Sequence, residues 1–164
     1  MNRIVIIGSP GTGKSTAARK LGASLQLPVY HLDTYMWSAG WQLLNAEDQR
    51  RISHTLAAKH RWIIDGNYRA SLQERIQRAD WVLLFERPLL LSLYRIVKRR
   101  IRYRKTTRPD MASGCPEQLN VEFLLYTIRF RREKLPKLLS EVPERKLIRL
   151  SSNRALERFI ARNG

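Results

Sequence analysis

The chain has 164 residues, enough for one domain with a sizeable core, and 43% of them are apolar against 27% charged. No apolar run approaches the roughly 18 residues of a membrane span. Cys115 is the single cysteine, which excludes an internal disulfide and a multi-cysteine zinc site. Lys and Arg total 31 against 14 Asp and Glu, a net charge of +17. That balance favours polyanionic partners (nucleotides, nucleic acid or an anionic membrane surface) without choosing among them.

Residues 2–7 are rich in Ile and Val with little alternation, which predicts a buried strand. They do not form a basic region with a long apolar stretch and a cleavage site, so a cytoplasmic protein is the simplest expectation. Gly8-Ser9-Pro10-Gly11-Thr12-Gly13-Lys14-Ser15-Thr16 follows, with G-x-x-x-x-G-K-S spacing. Glycines there let successive N–H groups curl around a phosphate. The helix predicted over 15–25 points its positive end at the same anion. Lys14 would reach the β- and γ-phosphates of ATP, and the Ser15 hydroxyl would ligate Mg²⁺.

Residues 28–32 predict a short second strand that delivers Asp33 past its end. Residues 33–45, with Tyr35, Trp37, Gly40 and Trp41, are expected to be irregular. A helix is predicted from Glu47 to about Lys59, then a third strand, Arg61-Trp62-Ile63-Ile64, ending in Asp65-Gly66-Asn67-Tyr68-Arg69. Ser71 is expected to cap a short helix to about Gln77. Trp81–Phe85 is the fourth predicted strand, and Pro88 suits the first turn of a helix running to about Tyr103. Residues 104–116 carry Thr106, Thr107, Pro109, Ser113, Gly114 and Pro116, the clearest loop in the chain. A second basic helix is expected from about Glu117 to Lys134, with a break or kink near Pro136. Lys146–Leu150 is the fifth strand, and Ser152 would cap the last helix. Alternating strands and helices imply parallel βαβ units in one α/β domain, with ligands at the carboxyl edge of the sheet.

Two acidic residues fall on that edge. Asp65, after an apolar strand, suits the residue that holds Mg²⁺ directly or through water, and Gly66 allows close backbone approach. Asp33 could orient or deprotonate an acceptor hydroxyl, reach the metal's water shell, or simply cap a short helix. Arg69, four residues past Asp65, could hold an anionic group of the acceptor. Trp37 and Trp41 flank Gly40 beside Asp33, where an acceptor would lie. His31, His54 and His60 lack metal-ligand spacing.

Arg95, Lys98, Arg99, Arg100, Arg102, Arg104, Lys105 and Arg108 form a run without an intervening acid, and Arg129, Arg131, Arg132 and Lys134 follow the loop. Some of these would close over a triphosphate and neutralise the transferring group while excluding water. The other sharp reading is contact with a nucleic-acid backbone. Many must simply be a solvated face.

The Gly8–Thr16 stretch resembles the P-loop of adenylate-kinase-like enzymes, with their G-x-P-G-x-G-K-[ST] form. Asp65-Gly66-Asn67-Tyr68-Arg69 resembles their D-G-F-P-R segment at Gly66 and Arg69 and departs from it at Asn67 and Tyr68. Over nearly the whole chain, three further stretches are similar to bacterial proteins described as DNA topology modulation or flagellar-regulator proteins. They are Val29–Asp33 with Trp41, Trp62–Tyr68, and Arg108-Pro109-Asp110-Met111 with Gly114-Cys115-Pro116-Glu117.

The resemblance implies a three-layer P-loop kinase fold, with a parallel five-stranded sheet, helices on both faces and a small lid over 104–116. It places Arg69 where nucleoside monophosphate kinases hold the acceptor's phosphate. It places Asp33 where shikimate- and gluconate-kinase-like relatives hold the acceptor's hydroxyl. The acceptor segment of adenylate kinases is not recognisable in residues 33–60. The expected function is ATP- and Mg²⁺-dependent phosphoryl transfer to a nucleotide, nucleoside or small hydroxylated acceptor. Catalytic roles fall on Lys14, Asp33, Arg104, Arg108 and Arg132, metal contacts on Ser15 and Asp65, and acceptor contacts on Asp33, Trp41, Gly66 and Arg69. A nucleotide-dependent DNA-binding regulator is the alternative, though no helix-turn-helix is apparent.

Overall fold

Five strands pair side by side in the order β2-β5-β1-β6-β7, and every pairing is parallel. They are β1 (Arg3–Gly8), β2 (Val29–His31), β5 (Trp62–Asp65), β6 (Trp81–Phe85) and β7 (Leu147–Leu150). The computed structural model of the chain describes residues 1–104, 106–116 and 121–164. Lys105 of the basic run and the predicted helix start at Glu117 lie outside the described residues.

The strand period of two sorts the apolar residues between two cores. Val5, Ile7, Trp62, Ile64, Val82 and Leu84 face one side. Ile4, Ile6, Ile63, Leu83 and Phe85 face the other. Helix α1 (Lys14–Leu25) and α8 (Asn153–Asn163) cover the second side through Ala18, Leu21, Leu156 and Phe159. Helix α3 (Ala46–Ala57), α4 (Leu72–Arg78) and the 130–139 segment cover the first through Leu56, Leu72, Ile76, Phe130 and Leu135. The sheet thus has helices on both faces, as expected. The central strand β1 is buried throughout its apolar run because both neighbours and both helical layers enclose it.

Several local expectations are corrected. Residues 33–45 are not irregular. Leu32–Met36 form a short helix, α2, and Trp37–Ser38 (β3) pairs antiparallel with Gln42–Leu43 (β4). Gly40 and Trp41 form the turn between them, both with positive φ, 76° and 62°. Asp33 does not cap that helix. It lies in the first turn, and His31 holds the cap position. Ser71 holds the N-cap position of α4 but makes no side-chain cap bond; its hydroxyl donates to the Tyr68 carbonyl, and a 3₁₀ turn over Arg69–Ser71 leads in.

Helix α5 (Leu89–Arg102) runs from Pro88 as predicted. Near Pro136 the helix does not stop but changes its winding. Helix α6 (Val121–Arg129) widens into a π-turn over Phe130–Lys134 and continues as α7 (Leu135–Leu139). Pro136 brings no N–H to the turn before it, and the wider spacing takes up the missing bond. Ser152 does cap α8, accepting from the Ala155 N–H at 3.0 Å.

Candidate active site

The carboxyl edge of the sheet opens into a cleft of about 1440 Å³, bordered by the phosphate loop, α5, α6 and the 106–116 segment. At its floor, β1 runs into Gly8, whose φ of 145° no side chain adopts readily. A Cβ there would come within 2.4 Å of the Phe85 carbonyl on the neighbouring strand. The tight turn then delivers Gly13, which caps α1 without a side-chain hydrogen bond, so the first N–H groups of that helix face the cleft. Thr12 ties the loop to itself by donating to the Ser9 carbonyl at 2.8 Å. Lys14 does the same with its Nζ at 2.9 Å. Burial pushes the Lys14 ammonium below its ordinary range, and the Asp65 and Asp33 carboxylates push it back.

The two residues that depart from the D-G-F-P-R resemblance have specific partners. Asn67 accepts from the Gly8 N–H at 3.1 Å and donates to the Gly8 carbonyl at 2.8 Å. Both backbone groups of the residue that starts the phosphate loop are thereby satisfied from β5's continuation. Tyr68 donates its hydroxyl to Asp33 Oδ1 at 2.7 Å and accepts from the Trp37 indole at 2.8 Å. Beneath them Arg75, fully buried, donates to the carbonyls of Gly66, Tyr68 and Ser71 at 2.9, 2.7 and 3.3 Å. Burial lowers its guanidinium to about 10, which leaves it charged. The sequence offered no signal for Arg75 beyond its place on the inner face of a short helix.

Asp65 ends β5 beside Ile6 of β1 and is buried. Its Oδ2 lies 3.0 Å from His31 Nδ1, so His31 is a partnered histidine. Oδ1 has no partner although it is shielded from water. A buried carboxylate oxygen rarely goes unsatisfied, and one beside Ser15 and the loop fits the water shell of a nucleotide-bound Mg²⁺. Among the described residues no three His, Cys, Asp or Glu side chains come together as a metal cage.

Asp33 sits across the cleft from Lys14, its side chain 41% exposed. Removal from bulk water raises its carboxyl above the usual range, against the pull of the Tyr68 hydroxyl and the Arg108 guanidinium. Arg108 Nη2 approaches Asp33 Oδ2 at 3.4 Å. Burial, then the Asp33 charge, pushes the Tyr68 phenol far upward, so Tyr68 acts only as a protonated donor.

The expected lid region packs against the β3–β4 hairpin. Met111, Ala112 and Cys115 are buried against Trp37 and Trp41. Gly40 N–H donates to the Gly114 carbonyl at 2.9 Å, the Cys115 thiol to Ser38 O at 3.1 Å and the Trp41 indole to Pro116 O at 3.1 Å. Only glycine fits at 114, since a Cβ would lie 2.6 Å from that of Ala39. Trp41 therefore supports the 106–116 segment as well as bordering the cleft.

The arginines divide differently from expectation. Arg95, Arg99, Arg102 and Arg108 border the cleft, and Arg95 donates to the Thr12 carbonyl at 3.2 Å. Arg104 and Arg132 are exposed and lie outside the cleft's lining. The turn of α5 carries Arg104 away, and its carbonyl accepts from Arg100. Arg69 borders the cleft but is 64% exposed and ion-paired with Glu141 at 3.1 Å. Gly66 donates to the Ile6 carbonyl and holds the turn close to β1. No helix among the described residues is long and apolar enough to cross a membrane.

The same arrangement of sheet and helices recurs in solved structures, two of them shikimate kinases. The chain is similar to shikimate kinase from Acinetobacter baumannii in complex with shikimate, with a TM-score of 0.70 and 13% identity over 99% of this chain and 90% of that one. Shikimate kinase from Bacteroides thetaiotaomicron gives 0.60 and 18%, covering 98% and 95%. Kti12 from Chaetomium thermophilum in complex with ADP-AlF3 gives 0.60 and 16%, covering 97% and 95%. This is the P-loop kinase fold. No protein-family model matches the chain, and no curated protein sequence matches it.

Proposed function

We propose that the protein is an ATP-dependent phosphotransferase that acts on a small hydroxylated acceptor with Mg²⁺. The observation that carries this is the placement of Asp33, a carboxylate open to the cleft, held by Tyr68 and Arg108 and facing the Lys14 side of the phosphate loop. Its raised pKa brings it nearer the range in which a carboxylate accepts a proton from an attacking hydroxyl. The likeness to a shikimate kinase structure that contains shikimate supports a hydroxyl acceptor. A phosphate acceptor would call on Arg69, whose charge is already matched by Glu141.

In this reading the loop amides and Lys14 hold the β- and γ-phosphates. Ser15 and Asp65 hold Mg²⁺ and its water, and the cation supplies charge neutralisation at the phosphates. Asp33 orients the acceptor hydroxyl and takes its proton. Arg108, together with Arg95 and Arg99 on α5, surrounds the transferring group with positive charge. Tyr68 and Trp37 fix the Asp33 carboxylate. Arg104 and Arg132 take no part, because neither borders the cleft. The DNA-binding alternative gains no support from a basic run that places four of its arginines around this cleft.

A coupled assay for ADP release tests it, across small hydroxylated acids, sugars, nucleosides and nucleoside monophosphates, with Lys14→Ala as control. Acceptor-stimulated release that the variant loses supports the kinase. Release unaffected by every acceptor, with tight salt-sensitive duplex binding, overturns it.

A further inference from the structure

Asp110 has no role in the reading above, yet it is the acidic group that the 106–116 segment carries to the phosphate loop. It is 8% exposed and borders the cleft. The Ser15 hydroxyl is among the groups that favour its ionised form. Its Oδ1 lies 3.7 Å from the Arg19 guanidinium on α1, and its Oδ2 lies 3.6 Å from Arg108. The segment that holds it is anchored to the hairpin by Gly114, Cys115 and Pro116. Its position beside Ser15 is therefore built in from both sides.

A carboxylate there is an odd companion for a nucleotide. A phosphate chain entering the loop brings several negative charges, which repel Asp110 and compete for Arg108. The repulsion is removed when a divalent cation stands between them. Ser15 is the residue expected to ligate that cation, and the buried Asp65 Oδ1, which no group of the protein satisfies, is a second acceptor for its water shell. With Ser15 turned to the metal, a metal-bound water can donate to Asp110 in its place.

We propose that Asp110 is a positioning residue for the metal-nucleotide, so that docking of the 106–116 segment depends on the divalent cation and not on the nucleotide alone. This rests on the nucleotide-binding reading of the loop but not on the identity of any acceptor. Nucleotide without metal expels Asp110 and lifts the segment. Metal-nucleotide keeps it seated, and with it Arg108 beside Asp33.

The chain carries its own reporter. Cys115 is its only cysteine, 1% exposed and held between the segment and the hairpin by its contact with Ser38. Its rate of labelling by an aromatic disulfide reagent follows undocking, which exposes the thiol through local opening. Labelling is measured with ATP in EDTA and with ATP and Mg²⁺. The expected result is at least about tenfold faster labelling in EDTA, and a difference that Asp110→Asn abolishes. In parallel, electron paramagnetic resonance follows Mn²⁺ bound with ADP. Asp110→Asn should weaken Mn²⁺ in that complex about tenfold while leaving ADP affinity in EDTA equal or tighter.

Equal labelling with and without Mg²⁺ in the unsubstituted protein overturns the proposal, and this needs no variant to fold. So does Mn²⁺ affinity unchanged in Asp110→Asn. A fluorescent ADP analogue separates the two readings. Absence of any nucleotide binding sinks both. Metal-dependent labelling without acceptor-stimulated turnover sinks only the kinase.

Discussion

Asn67 closes both backbone groups of Gly8, accepting from its N–H and donating to its carbonyl. This side-chain clamp joins the end of β5 to the start of the phosphate loop across 59 positions of sequence. Asn67→Ala leaves both Gly8 groups without their partner, at roughly 1 kcal/mol each. The expected loss is about 2 kcal/mol by denaturant unfolding, with weaker nucleotide binding because the loop's entry is no longer fixed. Asn67→Asp should fall between, since a carboxylate still accepts from Gly8 N–H but cannot donate to its carbonyl. Stability of Asn67→Ala equal to the parent would show that water replaces the clamp.

Asp33 trades stability for chemistry. Its folded carboxyl lies above the ordinary value because ionisation in the cleft is disfavoured. For such a group the folded state binds the proton more tightly than the unfolded chain. Its contribution is therefore fully present below the unfolded pKa and is lost as pH rises through the folded one. At neutral pH the desolvation of ionised Asp33 works against the fold, reduced by solvent screening because the side chain is 41% exposed. Asp33→Asn should raise the Tm at pH 7 and lower acceptor-dependent turnover by about 10²–10⁴-fold. Thermal scans from pH 4 to 8 check the first, and the coupled assay checks the second. A variant less stable than the parent at pH 7 would mean that the Arg108 pair outweighs desolvation.

The Tyr68 hydroxyl is one of the groups that hold the Asp33 pKa down. Tyr68→Phe removes that donor and leaves the Trp37 indole without its acceptor. The acidic limb of the pH–rate profile should move to higher pH, with turnover falling most below neutrality. Overall stability should drop by about 1 kcal/mol. An unmoved limb would assign the titration to another group.

Arg75 supports the segment from which Asn67 and Tyr68 project. Arg75→Met keeps the volume and removes all the donors, leaving three carbonyls to find others. We expect a loss of roughly 3 kcal/mol. Arg75→Lys should recover only part of it, because one ammonium cannot reproduce the fork of a guanidinium. Chemical denaturation of the two variants gives the ranking.

The sheet was legible because its strands are short apolar runs between Gly and Pro punctuation, and β1 is followed by a loop of fixed spacing. The donor half of the site came with that loop. Asp33 and Asp65 were legible because a strand end is a position that sequence can mark. The hairpin at 37–43 was not, since each of its strands has two residues and no period to detect. Which arginines border the cleft was not legible, because charge density says nothing about the face on which a side chain emerges. Asn67 and Tyr68 looked like departures from a pattern, and only their partners on Gly8 and Asp33 give them meaning. Asp110 stands two residues from Arg108, but its pairing with Arg19 on α1 spans 91 positions and leaves no local trace.

The strand made first is the one that must wait longest. β1 lies in the middle of the sheet, and its neighbours are residues 62–65 and 81–85. During synthesis the phosphate loop therefore leaves the ribosome without either flank and with Gly8 unclamped. At roughly 5–20 residues per second, several seconds separate its emergence from that of β6. Nascent chains stalled before Phe85 clears the exit tunnel should not retain a nucleotide analogue, whereas chains stalled beyond Leu150 should. The segment most exposed to proteases and chaperones in that interval is Ile4–Ile7, the most apolar stretch of the finished core.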